Sequence, residues 1–142
     1  MKKLFFCAAA LFAAISLTAC SDSDKNNIKT SDLLGKWVAL ARYDYSAEAG
    51  GYVNSENDKE KDIDDRILIF QDAQTLIILY SENSQYPETW TYTLNGSTIT
   101  MREVGSNYTR TRRITSLTDT NLELWKKDID DDYKVVYERR AM

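Results

Sequence analysis

Histidine is absent from this 142-residue chain, and cysteine occurs only at Cys7 and Cys20. The absence of histidine removes the commonest general base and the commonest transition-metal ligand. Cys7 lies inside an apolar run near the N-terminus, so removal of that run leaves Cys20 without a partner for an intrachain disulfide. The chain also has no glycine-rich phosphate loop and no G-x-S-x-G nucleophile motif. The sequence therefore predicts a non-enzymatic protein with no cofactor and no metal.

Basic residues are fewer than acidic ones, 18 against 22, which gives a formal charge of −4. Loss of Lys2 and Lys3 with an N-terminal signal would change that charge from −4 to −6. Non-specific binding to nucleic acid requires a cationic surface, and so does polybasic attachment to anionic lipid. We therefore expect no nucleic-acid partner, and we expect any membrane attachment to depend on something other than surface charge.

The N-terminus has the organisation of an export signal. Lys2 and Lys3 precede an apolar run over residues 4–14, which is short for a membrane span. Leu17-Thr18-Ala19-Cys20 follows, and the whole segment resembles a bacterial lipoprotein signal with its lipobox. That resemblance implies a signal peptide at residues 1–19, lipidation of Cys20, and a flexible lipidated tether at residues 20–30. The protein would then be anchored to a membrane through Cys20 without spanning it.

Ser21-Asp22-Ser23-Asp24 follows the predicted lipidation site. It is similar to the acidic stretch behind the lipidated cysteine in exported lipoproteins of the Bacteroides group, which implies an outer-membrane location with exposure at the cell surface. The other interpretation is a short solvated linker that contains no localisation signal. We expect a lipid-anchored outer-membrane protein, and the choice of leaflet stays open.

A β-hairpin is predicted over residues 88–104, because apolar and threonine side chains alternate on either side of a turn dipeptide. Asn95-Gly96 favours a type I′ turn, in which both central residues have positive φ. This turn gives three facing pairs: Leu94 with Ser97, Tyr92 with Ile99, and Trp90 with Met101. The apolar side chains then share one face of the hairpin, and the threonines share the other.

Seven further features complete the predicted architecture of residues 31–142. A helical turn at residues 31–35 is followed by strands near 37–45, 66–70, 75–81, 108–117, 122–126 and 133–140. With the hairpin these make eight strands joined mostly by short connections, which favour an antiparallel meander. Eight strands can close into a barrel. Residues 46–65 are predicted to form a long loop or to contain a short extra strand near Tyr52-Val53.

Several motifs along this domain resemble those of lipocalin-like proteins. They are Leu34-Gly35-Lys36-Trp37 at the start of the first strand, Phe70-Gln71-Asp72, Thr89-Trp90-Thr91-Tyr92, Asn95-Gly96 and the segment 114–124. Together with the signal, they are similar to the small lipocalin-like lipoproteins of Bacteroides-type bacteria. The fold class is therefore predicted to be all-β, an eight-stranded antiparallel up-and-down barrel with a short N-terminal helical turn. The later motifs and the C-terminal helix of true lipocalins are not evident.

Two groups of residues are candidate binding sites. The hairpin register directs a set of large apolar side chains inward, where they could contact a small apolar ligand: Trp37, Trp90, Tyr92, Ile99 and Met101. The alternative for this set is ordinary core packing. Arg102, Arg110 and Arg112 could form a patch that binds a carboxylate or phosphate. The alternative for the arginines is pairing with acids on neighbouring strands or simple solvation.

Two smaller features complete the predictions. Asp128, Asp130 and Asp132 have the spacing that opens a calcium loop, but Tyr133 replaces its glycine and Arg139 replaces its terminal glutamate, so we predict no metal site. Trp125 alternates out of phase with the apolar residues around it and is expected on the outer face, either as an exposed contact point or buried under the loop at residues 46–65. The predicted function is binding of a small apolar or amphipathic ligand in or at the mouth of the barrel. The alternative is a filled barrel that acts as an interaction, inhibitor or accessory subunit at the cell surface.

Overall fold

The computed structural model describes residues 27–55, 63 and 65–142. Within this part of the chain it contains one short helix and nine strands. They are α1 (Thr30–Leu33), β1 (Gly35–Ser46), β2 (Gly51–Asn54), β3 (Ile67–Phe70), β4 (Thr75–Leu79), β5 (Glu88–Asn95), β6 (Thr98–Glu103), β7 (Thr109–Leu117), β8 (Asn121–Lys127) and β9 (Asp132–Arg140).

An antiparallel meander from β3 to β9 closes into a barrel because β1 pairs with both β3 and β9. The all-β prediction of a closed eight-stranded antiparallel barrel with a short helix is therefore confirmed. β2 is a ninth strand, which pairs with the last four residues of β1. Of the two interpretations of residues 46–65, the short extra strand near Tyr52 is the one the structure shows.

The β5–β6 hairpin forms, but its predicted turn is displaced by one residue. Asn95 pairs with Thr98, so the two loop residues are Gly96 and Ser97. Gly96 has φ of 59° and no other residue type has positive φ in the described chain, a pattern that fits a type II′ turn and not type I′. The pairing partners move by two residues, and Tyr92 faces Met101. Because side chains alternate with a period of two, the apolar face is unchanged.

A β-bulge in β1 changes which side chains enter the barrel. Ala39 pairs with Tyr137 and Ala41 with Val136, so Leu40 is the extra residue, and it is 48% exposed. The simple alternation in the sequence puts Tyr43 and Tyr45 on the same face as Trp37. The bulge reverses that phase, so Tyr45 is half exposed while Arg42 borders the barrel interior.

α1 covers the end of the barrel where β1 begins, which we call the helix end. Leu33 is buried, and Trp37 donates a 2.7 Å hydrogen bond from Nε1 to its carbonyl. Arg139 of β9 lies 4.2 Å above the Trp37 ring and donates to the carbonyls of Asp32, Leu34 and Asp119. Gly35 has φ of 122°, and a Cβ there would lie 3.2 Å from the Arg139 guanidinium, so both conformation and space favour glycine.

The opposite end of the barrel, which we call the distal end, carries the loops at 47–50, 80–87, 104–108 and 128–131. All of the described barrel strands and core residues lie within residues 27–142. No helix among the described residues is long and apolar enough to cross a membrane. The predicted signal at 1–19, the lipidation of Cys20 and most of the tether at 20–30 lie outside the described residues. From the tether's last residues, Ile28 packs against the core.

Candidate ligand site at the distal end

The five residues predicted to contact an apolar ligand all face the barrel interior. They are almost fully buried, at 0–2% exposure, and belong to one hydrophobic cluster: Trp37, Trp90, Tyr92, Ile99 and Met101. Phe70 packs edge-on against Tyr92 with ring centroids 5.0 Å apart. The side chains therefore contact one another and their core neighbours. A role for them in ligand contact stays a prediction.

The three arginines of the predicted patch are not brought together. Arg110 is the strand partner of Met101, and Arg112 is the strand partner of Ile99. The side chains of Met101 and Ile99 are buried in the barrel, so those of their partners also lie on the inner side of the wall. Arg102 is one residue out of phase with Met101, so it lies on the outer face, where it is exposed and donates to Asn107 at 2.7 Å. A patch that includes all three does not form, because strand alternation places Arg102 on the opposite side of the barrel wall.

Asp65 is the residue that Arg110 and Arg112 contact instead. Its carboxylate accepts a 2.6 Å bond from Arg110 Nη1 and a 3.3 Å bond from Arg112 Nη2. Asp65 is 7% exposed, and its carbonyl accepts a 3.0 Å bond from the hydroxyl of Tyr137. Sequence reasoning missed this buried cluster, because Asp65 belongs to a charged segment that has no periodicity to locate it.

The barrel interior beside this cluster has little free space. A pocket of about 10 Å³ is bounded by Arg42, Ile63, Asp65, Arg112, Leu124, Tyr133, Val135 and Tyr137. That volume is roughly the least that admits one water molecule. The ion cluster and the tyrosines therefore occupy the space through which a ligand would reach the apolar core from the distal end.

β7 and β8 separate towards their distal ends, which opens the barrel wall between them. Pairing between these strands runs from Leu117↔Leu122 to Arg113↔Trp125 and ends there. Beyond that point, residues 109–112 pair with β6 and residues 126–127 pair with β9. Arg112 Nη1 donates a 3.1 Å bond to the carbonyl of Thr111, which β8 does not reach. A guanidinium therefore occupies part of the place where ladder hydrogen bonds would otherwise form.

This separation creates a pocket of about 280 Å³, which we call the slot. It is lined by Tyr108, Thr109, Arg110, Thr111, Arg112, Lys126, Lys127, Asp128 and Tyr133. Four of these side chains are cationic and one is anionic. Lys127 is the most accessible cation, with 61% of its side chain exposed and a single long ion pair of 3.7 Å to Asp132.

The cations of the slot are held in defined positions. The Arg110 guanidinium lies 4.7 Å from the centre of the Trp90 ring and 5.3 Å from that of Tyr108. Lys126 donates to Asp131 at 2.6 Å and forms an ion pair with Asp128 at 3.2 Å. Partial burial lowers the pKa of Lys126, but the hydrogen bonds to these two aspartates outweigh it and the net pKa is raised. Lys126 is therefore charged at neutral pH.

The outer face beside the slot carries a hydrogen-bonded cluster around Asp132. The Tyr52 hydroxyl donates a 2.6 Å hydrogen bond to Oδ1 of Asp132, and Trp125 Nε1 donates one of 2.8 Å to the same oxygen. The prediction that Trp125 leaves the core is therefore confirmed. These two bonds hold the pKa of Asp132 below its ordinary value, and burial followed by the bond to Asp132 raises the pKa of Tyr52 to about 12. Oδ1 of Asp128 accepts hydrogen bonds from the backbone N–H groups of Asp130 and Asp131, which closes the acidic turn. No group of acids in the described chain is arranged to hold a metal ion.

Two solved structures from Bacteroides resemble this fold. A lipocalin-like protein from Bacteroides uniformis ATCC 8492 has a TM-score of 0.51 and 18% identity, over 77% of this chain and 99% of its own. An uncharacterized protein from Bacteroides eggerthii DSM 20697 has a TM-score of 0.50 and 14% identity, over 75% of this chain and 98% of its own. No protein-family model and no curated protein matches the sequence. The lipocalin-like resemblance is thus confirmed for the fold, and the lipoprotein signal stays a prediction.

Proposed function

We propose that this is a non-enzymatic envelope protein, anchored to the outer membrane through a lipid on Cys20, that binds a small amphipathic ligand. The ligand site is the slot between β7 and β8. The observation that carries the proposal is the opening in the barrel wall, where residues 109–112 of β7 and residues 126–127 of β8 are extended but do not pair with each other.

The filled interior directs a ligand to the barrel surface. The apolar core is buried and the pocket beside Asp65 holds about 10 Å³, whereas the slot holds about 280 Å³. Three other surface pockets hold about 480, 470 and 320 Å³, so the slot is selected by the break in the barrel wall and by its cations and not by its volume. Pockets for small molecules usually start near 300 Å³ and combine apolar surface with a few polar groups. The slot lies just below that range, and its lining is mainly polar, with the rings of Tyr108 and Tyr133 beside the cations.

The position of the slot suits a tethered protein. The chain enters the barrel at the helix end through α1, whereas the slot opens towards the distal end. An anchor on Cys20 would therefore leave the slot facing away from the membrane that holds the protein. This arrangement supports capture of a ligand from the surroundings and not from the anchoring bilayer.

The first test is native mass spectrometry of a chain of residues 21–142 produced in its own kind of bacterium. We expect an extra mass that denaturation releases. Thr111→Trp should block the slot and remove that mass. Thr100→Trp is the matched control, because Thr100 faces Thr111 on the neighbouring strand and both are exposed. A ligand retained by Thr111→Trp would contradict the slot as its site.

The second candidate function is that of a filled barrel which binds a protein partner. It is favoured by the exposed apolar side chains on the distal loops, among them Tyr86 at 82%, Val104 at 58% and Ile129 at 101% exposure. Such residues are plausible anchors for an interface. Chemical cross-linking on intact cells would reveal the partner, and Tyr86→Ser with Ile129→Ser should abolish the cross-link. A cross-link that survives both changes would argue against this surface.

A further inference from the structure

We infer that the slot selects a single-chain amphiphile whose head group is an anion bearing charged oxygens, a carboxylate or a phosphate monoester. The inference depends on the proposed function and specifies the ligand class of the same site. It is not expected from the overall composition, because the chain is acidic with a net charge of −4.

The first argument is where the counter-charges of the arginines lie. Asp65 compensates Arg110 and Arg112, yet it borders the pocket inside the barrel and does not line the slot. Arg112 lines both pockets, so it has the carboxylate on its inner side and the slot on its outer side. A ligand in the slot therefore meets the accessible parts of Arg110 and Arg112, whose side chains are 18% and 9% exposed, while Asp65 lies behind them.

The second argument is an excess of hydrogen-bond donors. A guanidinium has about five N–H donors and a carboxylate accepts at about four sites, so two arginines exceed the acceptor sites of one carboxylate, and Arg110 also interacts with the hydroxyls of Tyr108 and Tyr80. Arg112 Nη1 donates one further hydrogen bond to the carbonyl of Thr111. Lys127 adds an ammonium whose one ion pair is long. Anionic oxygens are the acceptors that match this set of donors most strongly.

The third argument concerns the apolar part of the ligand. Tyr108 is 55% exposed at the edge of the slot, and its ring is fixed against Trp90 at a centroid distance of 5.9 Å. The ring of Tyr133 forms another wall. A volume of about 280 Å³ admits part of one hydrocarbon chain beside these rings and is too small for the two chains of a diacyl lipid.

The test compares ligands that share a tail and differ in the head. Dodecanoate, dodecyl phosphate, dodecanol and dodecyltrimethylammonium are titrated as monomers into residues 21–142, and binding is followed through the amide resonances of residues 108–112 and 126–128. We expect the two anions to bind at least tenfold more tightly than the alcohol, because a charged head group gains hydrogen bonds to charged donors. The cation should not bind.

Lys127→Gln supplies the variant, because this exposed side chain contributes little to the fold. This variant should bind dodecanoate about tenfold more weakly, which is the effect of losing one hydrogen bond between charged groups. Lys127→Arg should keep most of the wild-type affinity. Arg113→Gln is the matched control. It removes the same charge from an exposed position beside the slot but outside its lining.

The outcomes separate the two proposals. Equal binding of dodecanol and dodecanoate in the slot would overturn the anion inference and leave the proposed function intact. Absence of binding by every amphiphile, or shifts confined to other residues, would overturn both. Sedimentation with phosphatidylglycerol vesicles, without any response to the monomers, would show that a membrane surface is recognised in place of a free amphiphile, and it would also overturn the inference.

Discussion

Replacing Asp65 with asparagine should lower the free energy of unfolding more than any other single isosteric change of a charged side chain in the barrel. The side chains of Asp65 and Arg112 are each 9% exposed, and that of Arg110 is 18% exposed. Removing one partner of a buried ion pair costs about 3–5 kcal/mol, because the remaining charge stays buried without compensation. Asparagine keeps an acceptor for one arginine, so we expect a loss near about 3 kcal/mol.

The measurement is urea denaturation of residues 21–142 at neutral pH, followed by tryptophan fluorescence. Glu138→Gln is the matched control, since Glu138 forms an exposed ion pair with Arg140 on β9. Exposed pairs contribute about 0–1 kcal/mol, so this change should have little effect. The hydrogen bond from Tyr137 goes to the Asp65 backbone and is retained in the variant. A loss below about 1 kcal/mol for Asp65→Asn would refute the idea that the carboxylate compensates two buried guanidinium groups.

Three further changes test other parts of the barrel, each by urea denaturation. Arg139→Met removes three hydrogen bonds to backbone carbonyls and the contact with Trp37, so it should lower the free energy of unfolding by about 1–3 kcal/mol. An unchanged urea midpoint would show that Arg139 does not stabilise the helix end. Gly96→Ala forces positive φ on alanine and should cost about 1 kcal/mol, whereas no loss would argue against the observed turn. The hydrogen bond from Tyr52 is the main cause of the lowered pKa of Asp132. The ionised carboxylate therefore stabilises the fold above its ordinary pKa of 3.8, and this stabilisation is lost as pH falls through the lowered pKa. Asp132→Asn should therefore make the decline in stability between about pH 5 and about pH 1 shallower, and an identical decline would contradict this assignment.

The faces of the strands were predictable from the sequence, but the exact pairing was not. In the β5–β6 hairpin the apolar pattern repeats every two residues, so it fixes the register only to within a shift of two. The turn must then decide, and Gly96-Ser97 competes with Asn95-Gly96 because both dipeptides suit two-residue hairpins. The predicted face of Tyr92 was right, while the residue predicted to face it was wrong.

The candidate site depended on information that local patterns do not contain. Arg110 and Arg112 share the phase of Ile114, so alternation alone indicates that they point inward and that Arg102 points outward. Their partner Asp65 is 45 and 47 residues away in the chain, and no spacing rule connects them. The bulge at Leu40 likewise depends on the pairing of β1 with β9. Sequence periodicity describes one strand at a time, whereas both features depend on contacts between distant strands.

Stability alone does not explain why the barrel contains an ion cluster at this position. Replacing a buried ion pair by apolar residues of similar size is often neutral or stabilising, so Asp65→Leu combined with Arg112→Met should recover most of the stability that Asp65→Asn loses. Arg110 is the less buried of the two arginines, at 18% exposure against 9%, so its uncompensated charge costs less than that of Arg112. The double variant should nevertheless bind dodecanoate at least tenfold more weakly, because the slot loses the donors of Arg112. Urea denaturation and the dodecanoate titration on the same sample separate the two effects. A stable double variant with full affinity would show that Arg112 does not contact the ligand, whereas a stable one with lost affinity would show that the cluster is maintained for binding.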